Sequence, residues 1–305
     1  MPKVPQRGRA ELALFGITAI WGVTFVVIKA ALADISPILF LASRFTVASA
    51  ALWVICGRSV IRSLRGRVRR PAFKAGLLAG ALLFTAFAFQ TEGLRLTAPS
   101  RSAFLTGLSI PMVPLLNSLV YRIRPRKFEV AGILIASVGM AMMTLPAGRF
   151  GMSTGDVLSL LCAVTFALHI VVVGRFSPMV GFEALAVVQV TFAAVLGILA
   201  AVLPGSPQRF HATPALAGAV LATGLLATAL AFTAMAWAQQ YTTSTRAALI
   251  LALEPAMAWL TSYVVTGEVL TNRGKMGAGL ILAGVLLVEL RSVELRRGKT
   301  EKLQV

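Results

Sequence analysis

Residues 97–114 read TAPSRSAFLTGLSIPMVP, and residues 242–259 read TTSTRAALILALEPAMAW. The two stretches correspond at a constant offset of 145 residues. The same offset relates further pairs along the chain: Thr97 and Thr242, Arg101 and Arg246, Trp21 and Phe166, Thr24 and His169, Arg44 and Gln189, Phe87 and Phe232, Gly132 and Gly277, Gly139 and Gly284. Self-similarity at a fixed spacing indicates a repeated structural unit. The chain is therefore predicted to contain one unit twice, at residues 1–147 and 148–305.

The composition is that of an integral membrane protein. Of 305 residues, 57% are hydrophobic and only 13% are charged, whereas about 25% of residues are charged in an average soluble domain. The net charge of +18 does not indicate nucleic-acid binding, because Lys and Arg lie in short gaps between apolar runs rather than on one folded polar face. Cys56 and Cys162 lie at or inside apolar runs, which excludes a disulfide framework or a metal site built from cysteines.

Ten apolar runs are long enough to cross a bilayer, which takes ~20 residues in a helix. They are residues 12–32, 37–57, 73–91, 99–121, 128–146, 155–174, 181–203, 214–238, 244–266 and 274–291. The first run follows Lys3, Arg7 and Arg9 and so resembles a secretory signal. It has an internal counterpart in the second unit, and we therefore expect it to be retained as a membrane helix.

The distribution of basic residues predicts how the chain is oriented. With the N-terminus in the cytoplasm, 21 of the 29 Lys and Arg residues fall in cytoplasmic segments and six in outside loops. Lys and Arg are enriched in short cytoplasmic loops. Both termini are therefore expected to be cytoplasmic, in an inner (plasma) membrane protein with several crossings.

The repeat and the number of crossings together predict an inverted architecture. A unit of five helices crosses the membrane an odd number of times, so its second copy enters from the opposite side. The predicted fold is all-α, with ten transmembrane helices in two inverted five-helix repeats. Inverted repeats are typical of secondary transporters, which bind solutes near the bilayer midplane and expose them to each side alternately.

Two other classes of membrane protein compete with a transporter as explanations of this sequence. A membrane enzyme normally groups carboxylates, histidines or an activated nucleophile, and no such motif occurs in the sequence. The chain is therefore not expected to be an enzyme or to need a cofactor or metal. A non-transporting receptor or assembly protein remains the alternative from another class. Within transport, the alternative is a proton-coupled antiporter or an importer of small metabolites.

The sequence resembles the EamA family of the drug/metabolite transporter superfamily over nearly its whole length. The resemblance rests on these residues: Trp21-Gly22, Lys29, Arg44, Arg246 to Ala248, Leu253, Pro255, Gly267-Glu268, Gly277 and Gly284. It implies a protein of ten helices that transports small organic solutes, often out of the cell, without nucleotide hydrolysis. One branch of the family exports aromatic amino acids. The chain departs from the family at Arg122-Ile123, where a second Gly-Glu is usual.

Two charged residues lie deep within predicted helices. Arg44 is seven residues beyond Pro37 and Glu254 ten residues beyond Ser244, about 10 and 15 Å along their helices at 1.5 Å per residue. Charged side chains at such depth usually face the bundle interior or a water-filled path. Arg44 is a candidate for binding a substrate carboxylate, or a structural cation. Glu254 is a candidate for binding a substrate ammonium or carrying a proton, or a partner for Arg44. Pro255 predicts a kink beside it.

Three further basic residues are candidates for gating. Lys29 lies near the outer end of the first helix, and Arg101 and Arg246 begin helices four and nine at opposite membrane faces. Each is equally consistent with an interfacial anchor whose charged end reaches water.

Aromatic and polar residues mark the expected substrate cavity. The resemblance implies that helices one, three, four, six and eight frame it. Small-molecule sites are mostly apolar pockets with a few polar groups. The candidates for binding, besides Arg44 and Glu254, are Trp21, Thr24, Phe25, Phe84, Phe87, Phe104, Phe166, His169, Phe232 and Trp237. A cavity lined by these side chains suits amino acids with bulky side chains or other amphipathic metabolites. For any single residue, the alternative role is packing in the core.

Small residues predict close helix packing in two places. Gly76 and Gly80 form a GxxxG pattern, and glycines recur on helices five and ten at Gly132, Gly139, Gly277 and Gly284. Faces of this kind let helix backbones approach closely. Helices five and ten are therefore expected to form either a scaffold within a monomer or the contact face of a homodimer.

Overall fold

The protein is described by a computed structural model covering residues 4–63, 69–97, 99–144, 152–203, 209–266, 269 and 271–301. Within these residues the chain is helical, with a single isolated bridge between Ile35 and Phe210. The helices are α1 (Val4–Ala31), α2 (Pro37–Ser63), α3 (Arg69–Leu96), α4 (Pro99–Gly107), α5 (Ser109–Tyr121), α6 (Lys127–Thr144), α7 (Thr154–Val180), α8 (Phe182–Val202), α9 (Pro214–Gly224), α10 (Ala231–Ala238), α11 (Ser244–Leu251), α12 (Glu254–Thr266) and α13 (Asn272–Glu301). A π-helical segment, Leu225–Leu230, joins α9 to α10.

Local sequence signals set several helix ends. Ser153 caps α7 by accepting from the Asp156 N–H, and the Asp156 side chain accepts from the Ser153 N–H in return; this reciprocal pair satisfies two donors that the helix leaves free. Thr213, just before Pro214, caps α9 by accepting from the Leu216 N–H. Only Gly181 separates α7 from α8, at φ +85°, a backbone conformation that glycine adopts without steric cost.

The helices agree with the predicted apolar runs in position. Seven stretches are long and apolar enough to span a membrane: Gln6–Ala31, Pro37–Arg62, Arg69–Leu96, Phe104–Tyr121, Thr154–Val180, Phe182–Val202 and Pro214–Ala238. The other three predicted runs coincide with α6, with α11 and α12, and with α13. The number of ten crossings remains a prediction, as does the boundary near residue 147, which lies outside the described residues.

Helices at corresponding repeat positions run antiparallel. In α2 and α8, Ser59 bonds Glu183 and Ser49 bonds Thr191, so sequence numbers rise in opposite directions. Other helix contacts come in pairs that the repeat relates. The contact of α3 with α7 corresponds to that of α10 with α1, and the contact of α5 with α7 corresponds to that of α12 with α1. Antiparallel mates with matching contacts are the arrangement that an inverted repeat requires.

The glycines of α6 and α13 pack against each other inside the chain. A Cβ added at Gly132 would lie 2.7 Å from the Gly284 carbonyl oxygen, and one added at Gly139 would lie 2.5 Å from that of Gly277. The two contacts are equivalent in the repeat, because the offset of 145 relates Gly132 to Gly277 and Gly139 to Gly284. The glycine faces of α6 and α13 therefore contact each other within one chain, and the homodimer alternative stays a prediction.

The loops divide between two ends of the bundle. At one end the Arg175 guanidinium lies over the Tyr121 ring at 5.6 Å, close to the basic segment 122–127. At the opposite end the Ser36 N–H donates to the Arg209 carbonyl at 2.9 Å. The first end, called the basic end below, is the one that charge counting places in the cytoplasm.

Candidate functional site at the repeat interface

An aromatic cluster forms where corresponding residues of the two units meet. Trp21 of α1 and its repeat mate Phe166 of α7 have ring centroids 5.8 Å apart. Phe87 of α3 and its mate Phe232 of α10 are 5.9 Å apart. Cross-contacts of 5.3–6.4 Å close the set into one cluster. Because each of these rings contacts the ring at the corresponding position of the other unit, the cluster lies on the axis that relates the two units.

Arg44 of α2 lies against this cluster and is almost fully buried, with 1% of its surface exposed. Its Cζ atom is 4.4 Å from the centroid of the Phe87 ring, a distance at which the ring face attracts a cation. Its Nε donates to the Thr228 hydroxyl at 2.6 Å and its Nη2 to the Ala227 carbonyl at 3.2 Å. Its Nη1 has no hydrogen-bond partner among the residues that the structure describes.

The π-helical segment supplies the acceptors for this arginine. The Ala227 carbonyl also accepts from the Trp21 indole at 2.9 Å, and the Thr228 hydroxyl donates to the Thr223 carbonyl at 2.8 Å. Single π-helical turns interrupt the regular ladder and are frequent at functional sites. Here the segment joins α1, α2 and the second unit at one point.

His169 and Gln189 form a second polar pair beside the rings. His169 Nε2 and Gln189 Oε1 are 3.0 Å apart, and both residues are fully buried. Within the described part of the chain, His169 Nδ1 and Gln189 Nε2 have no hydrogen-bond partner. If the amide were rotated, the roles would exchange, but the pair would still present one free donor and one free acceptor. Gln189 is the repeat mate of Arg44, so polar groups face the rings from both units.

The remaining candidates for binding lie around this cluster or apart from it. The Thr24 hydroxyl donates to the Trp21 carbonyl within α1. Phe84 packs on the main core, Phe104 packs on a second core formed by α6, α11 and α13, and Trp237 pairs with Tyr241 at 5.4 Å. The Phe25 side chain is outside the described set. The rings that do converge come from α1, α3, α7 and α10, whereas α4 contributes none of them.

Glu254 is not the counter-ion of Arg44. No ion pair joins these two described residues, since Arg44 is bonded to Ala227 and Thr228. Glu254 begins α12 directly after a break at Ala252 and Leu253, which agrees with the kink predicted from Pro255.

Arg246 belongs to a cluster of buried charges at the basic end. Its Nε is 3.6 Å from Glu129 of α6 and its Nη1 3.9 Å from Glu11 of α1, and Glu11 also pairs with Arg7. Arg246, Glu129 and Arg7 are all less than 9% exposed. The cluster joins α1 and α6 of the first unit to α11 of the second. The Lys29 side chain is exposed at the end of α1, and the Arg101 side chain and the Gly267-Glu268 motif lie beyond the described part.

Several residues of these sites were not singled out by the sequence. Thr228, Glu11 and Glu129 carried no motif, and Gln189 was not among the candidates for binding. For Gln189 a signal was present, because it is the repeat mate of Arg44. For Glu11 and Glu129 the signal was their position as acidic residues within basic segments.

Two inverted units, a polar and aromatic centre between them and a membrane-crossing composition define the class of multi-pass membrane transporters. The profile of the EamA-like transporter family matches residues 8–145 and 153–290, and the chain belongs to this family. An "Uncharacterized transporter" of Archaeoglobus fulgidus is 33% identical over 277 residues, covering 91% of this chain and 84% of that relative. The "Uncharacterized inner membrane transporter YedA" of Escherichia coli K12 is 27% identical over 206 residues, covering 68% of this chain and 65% of the relative.

A solved structure described as "Crystal structure of protein" has the same fold. It superposes with a TM-score of 0.79 over 94% of this chain and 99% of its own, at 22% sequence identity. The family match and the named relatives point to a transporter rather than an enzyme.

Proposed function

We propose that this protein exports small organic solutes that carry a carboxylate and an apolar body, and that amino acids with bulky side chains belong to this class. The observation that supports it most is buried Arg44, whose guanidinium lies over the Phe87 ring of the aromatic cluster and whose Nη1 has no hydrogen-bond partner among the described residues. A buried donor without a partner costs about 1–3 kcal/mol, and a carboxylate removes this cost because it matches the guanidinium fork.

In this proposal the solute binds between the units. Its carboxylate accepts from Arg44, and its apolar part packs on Phe87, Phe166 and Phe232. The free groups of His169 and Gln189 bind a second polar group of the solute. Rocking of one unit against the other opens the site to one side of the membrane and then to the other.

The buried charges around Arg246 act as the gate at the basic end. They join the two units through Glu129 and Glu11, so that end opens only when the ion pairs separate. Arg101, the repeat mate of Arg246, is proposed to act at the opposite end, and Lys29 near it. The basic end and both termini are placed in the cytoplasm, and the protein in the inner membrane.

Counterflow in sealed proteoliposomes tests the transport function. Vesicles loaded with one unlabelled solute from a panel of aromatic amino acids, aliphatic amino acids and amphipathic cations receive the same solute in labelled form outside. We expect labelled solute to accumulate transiently for carboxylate-bearing solutes and not for the cations. Binding without counterflow for every solute would contradict export and favour a receptor. A parallel efflux and growth-protection screen with toxic amino-acid analogues reports the direction in cells.

A further inference from the structure

A groove opens between α3 of the first unit and α7 of the second, near the basic end. Its volume is about 360 Å³, and it is lined by Arg70, Pro71, Lys74, Ala75, Leu78 and Phe176. Phe176 directly follows Arg175, whose guanidinium lies over Tyr121 at that end. Lys74 is 13 residues before Phe87, about 20 Å along α3 by helical rise. The groove is therefore separate from the solute site at the repeat interface.

Charged and apolar side chains occupy different parts of this groove. Arg70, Lys74 and Leu78 are spaced by four residues, so they lie on one face of α3. The two cations come first from the basic end, and Leu78 follows about 12 Å beyond Arg70 by helical rise. All three side chains are exposed, and Phe176 of α7 adds a second apolar wall. The groove thus has a cationic end and an apolar end.

The positive charge of the groove is not neutralised by the described residues. The lining contains two cations and no acid, and within the described segments neither Arg70 nor Lys74 forms an ion pair or a hydrogen bond through its side chain. The surrounding segment 58–74 holds seven Lys and Arg residues and no Asp or Glu. The charge is therefore available to an anionic ligand.

The repeat provides an internal comparison for these cations. The offset of 145 relates Arg70 to Ala215 and Lys74 to Ala219, and the equivalent segment 203–219 contains one Arg and no Lys. The second unit therefore builds the corresponding helix without cations on this face. Enrichment of Lys and Arg in cytoplasmic loops accounts for the sign of the charge, but not for its position within an apolar groove between two helices.

We propose that this groove binds an anionic glycerophospholipid of the surrounding membrane, with its phosphate at Arg70 and Lys74 and an acyl chain along Leu78 and Phe176. Guanidinium and ammonium groups bind phosphate oxygens through charge-assisted hydrogen bonds. Basic pockets between transmembrane helices on the cytoplasmic side bind lipid head groups, and charge counting places the basic end on that side. A soluble phosphate compound leaves the apolar end of the groove unfilled. Because α3 and α7 belong to different units, the bound lipid contacts both and stabilises their packing.

Native mass spectrometry of the full chain in detergent tests this site without any solute. The protein is titrated with phosphatidylglycerol, with phosphatidylcholine or with glycerol 3-phosphate. We expect phosphatidylglycerol to be retained and to raise the melting temperature, and phosphatidylcholine to bind about tenfold more weakly, because it lacks the net negative charge that Lys and Arg attract. Glycerol 3-phosphate is expected not to bind. Equal retention of the two lipids would overturn the proposal, as would binding of glycerol 3-phosphate as tight as that of phosphatidylglycerol.

Two matched double variants separate this groove from general attraction between charges. Arg70→Gln combined with Lys74→Gln is expected to lower the affinity for phosphatidylglycerol by about tenfold or more, since each basic residue near an anionic lipid contributes to binding. Arg124→Gln combined with Lys127→Gln removes two exposed cations of the basic end that lie outside the groove, and it is expected to leave the affinity unaltered. An equal loss in both double variants would overturn the proposal in favour of unspecific charge attraction.

Leu78→Trp tests the apolar end of the groove with both cations in place. Leu78 is 46% exposed, so the larger side chain fills the groove without entering the core. We expect retention of phosphatidylglycerol to fall severalfold, with the melting temperature of the lipid-free protein unchanged. Leu115→Trp, at an exposed position of α5, is the control and should retain the lipid. Retention by Leu78→Trp equal to that of the wild type would show that no acyl chain lies along Leu78 and would overturn the proposal.

Discussion

Arg44 Nε donates a 2.6 Å hydrogen bond to the Thr228 hydroxyl across the interface between the two units. Thr228 in turn donates to the Thr223 carbonyl, so its hydroxyl is oriented to accept from Arg44. The arginine is thereby fixed on one edge, while its Nη1 has no hydrogen-bond partner in the described segments. A side chain held on one edge and open on the other is suited to bind a ligand.

Arg44→Met separates a structural from a recognition role. The apolar side chain fills a similar volume, and replacing buried charge by packed hydrophobic groups is often neutral or stabilising. We expect the melting temperature in detergent to be unchanged or higher, and the apparent affinity for carboxylate solutes to fall by about tenfold or more, since hydrogen bonds to charged groups contribute roughly 1.5–3 kcal/mol.

The control for this prediction is Arg62→Gln, which removes an exposed cation from the same helix and is expected to leave affinity unaltered. If Arg44→Met lowered the melting temperature strongly while affinity per folded molecule stayed the same, Arg44 would be structural only.

Neutralising the Arg246 cluster is expected to open the basic end. Glu129→Gln removes the carboxylate 3.6 Å from Arg246, so the two units lose an ion pair that joins them. The reporter is a cysteine introduced at buried Ile250 in a chain without Cys56 and Cys162. We expect this cysteine to react with a membrane-impermeant maleimide about tenfold faster in the Glu129→Gln variant than in the parent chain. A tenfold change corresponds to ~1.4 kcal/mol in the equilibrium between the open and closed states.

Exchange of the two charges completes this test. Glu129→Arg combined with Arg246→Glu should label more slowly than either single variant because the exchanged pair re-forms, but faster than the wild type because the new carboxylate lies near Glu11. The matched control is Arg95→Gln, which removes an exposed ion pair with Glu92 of the kind that contributes little. Labelling of Ile250→Cys at the same rate in all variants would contradict a gate at Arg246.

Gly132→Ala is expected to destabilise the packing of α6 on α13. The new methyl group would lie 2.7 Å from the Gly284 carbonyl oxygen and 2.5 Å from a Val288 methyl, so the helices must move apart. Overpacking of this kind costs about 1–3 kcal/mol, which thermal unfolding in detergent measures. Gly279→Ala on α13 is the control, because an added Cβ there meets nothing within 4 Å; equal melting temperatures for the two variants would show that the contact is not tight.

Trp21→Phe tests the contribution of the indole to the interface. Its repeat mate is Phe166, so a benzyl ring is tolerated at the equivalent place in the other unit. The variant keeps ring packing but loses the 2.9 Å bond to the Ala227 carbonyl, and we expect a loss of about 1 kcal/mol in the free energy of unfolding. Trp53→Phe serves as comparison, since its indole bonds Thr191 at an exposed position and should cost less. Equal losses in the free energy of unfolding for both variants would show that the buried hydrogen bond of Trp21 contributes no more than the exposed one of Trp53.

The positions of the helices were largely predictable from the sequence, because apolar runs, prolines and basic segments are local properties. The break before Pro255 was predicted for the same reason. The matching break at Leu108 was not, since no proline stands at the equivalent position Ile110; there the repeat itself was the available signal.

The sequence by itself determined the duplication and the membrane class, and it predicted the antiparallel relation of the two units, because the offset, the hydropathy and the expected number of crossings can be counted along the chain. The tertiary structure decided which groups meet. Arg44 bonds Thr228, 184 residues away, and not Glu254; Arg246 pairs with Glu129 and Glu11. Such pairings depend on how helices rotate and pack against one another, and no spacing in a single sequence encodes that rotation.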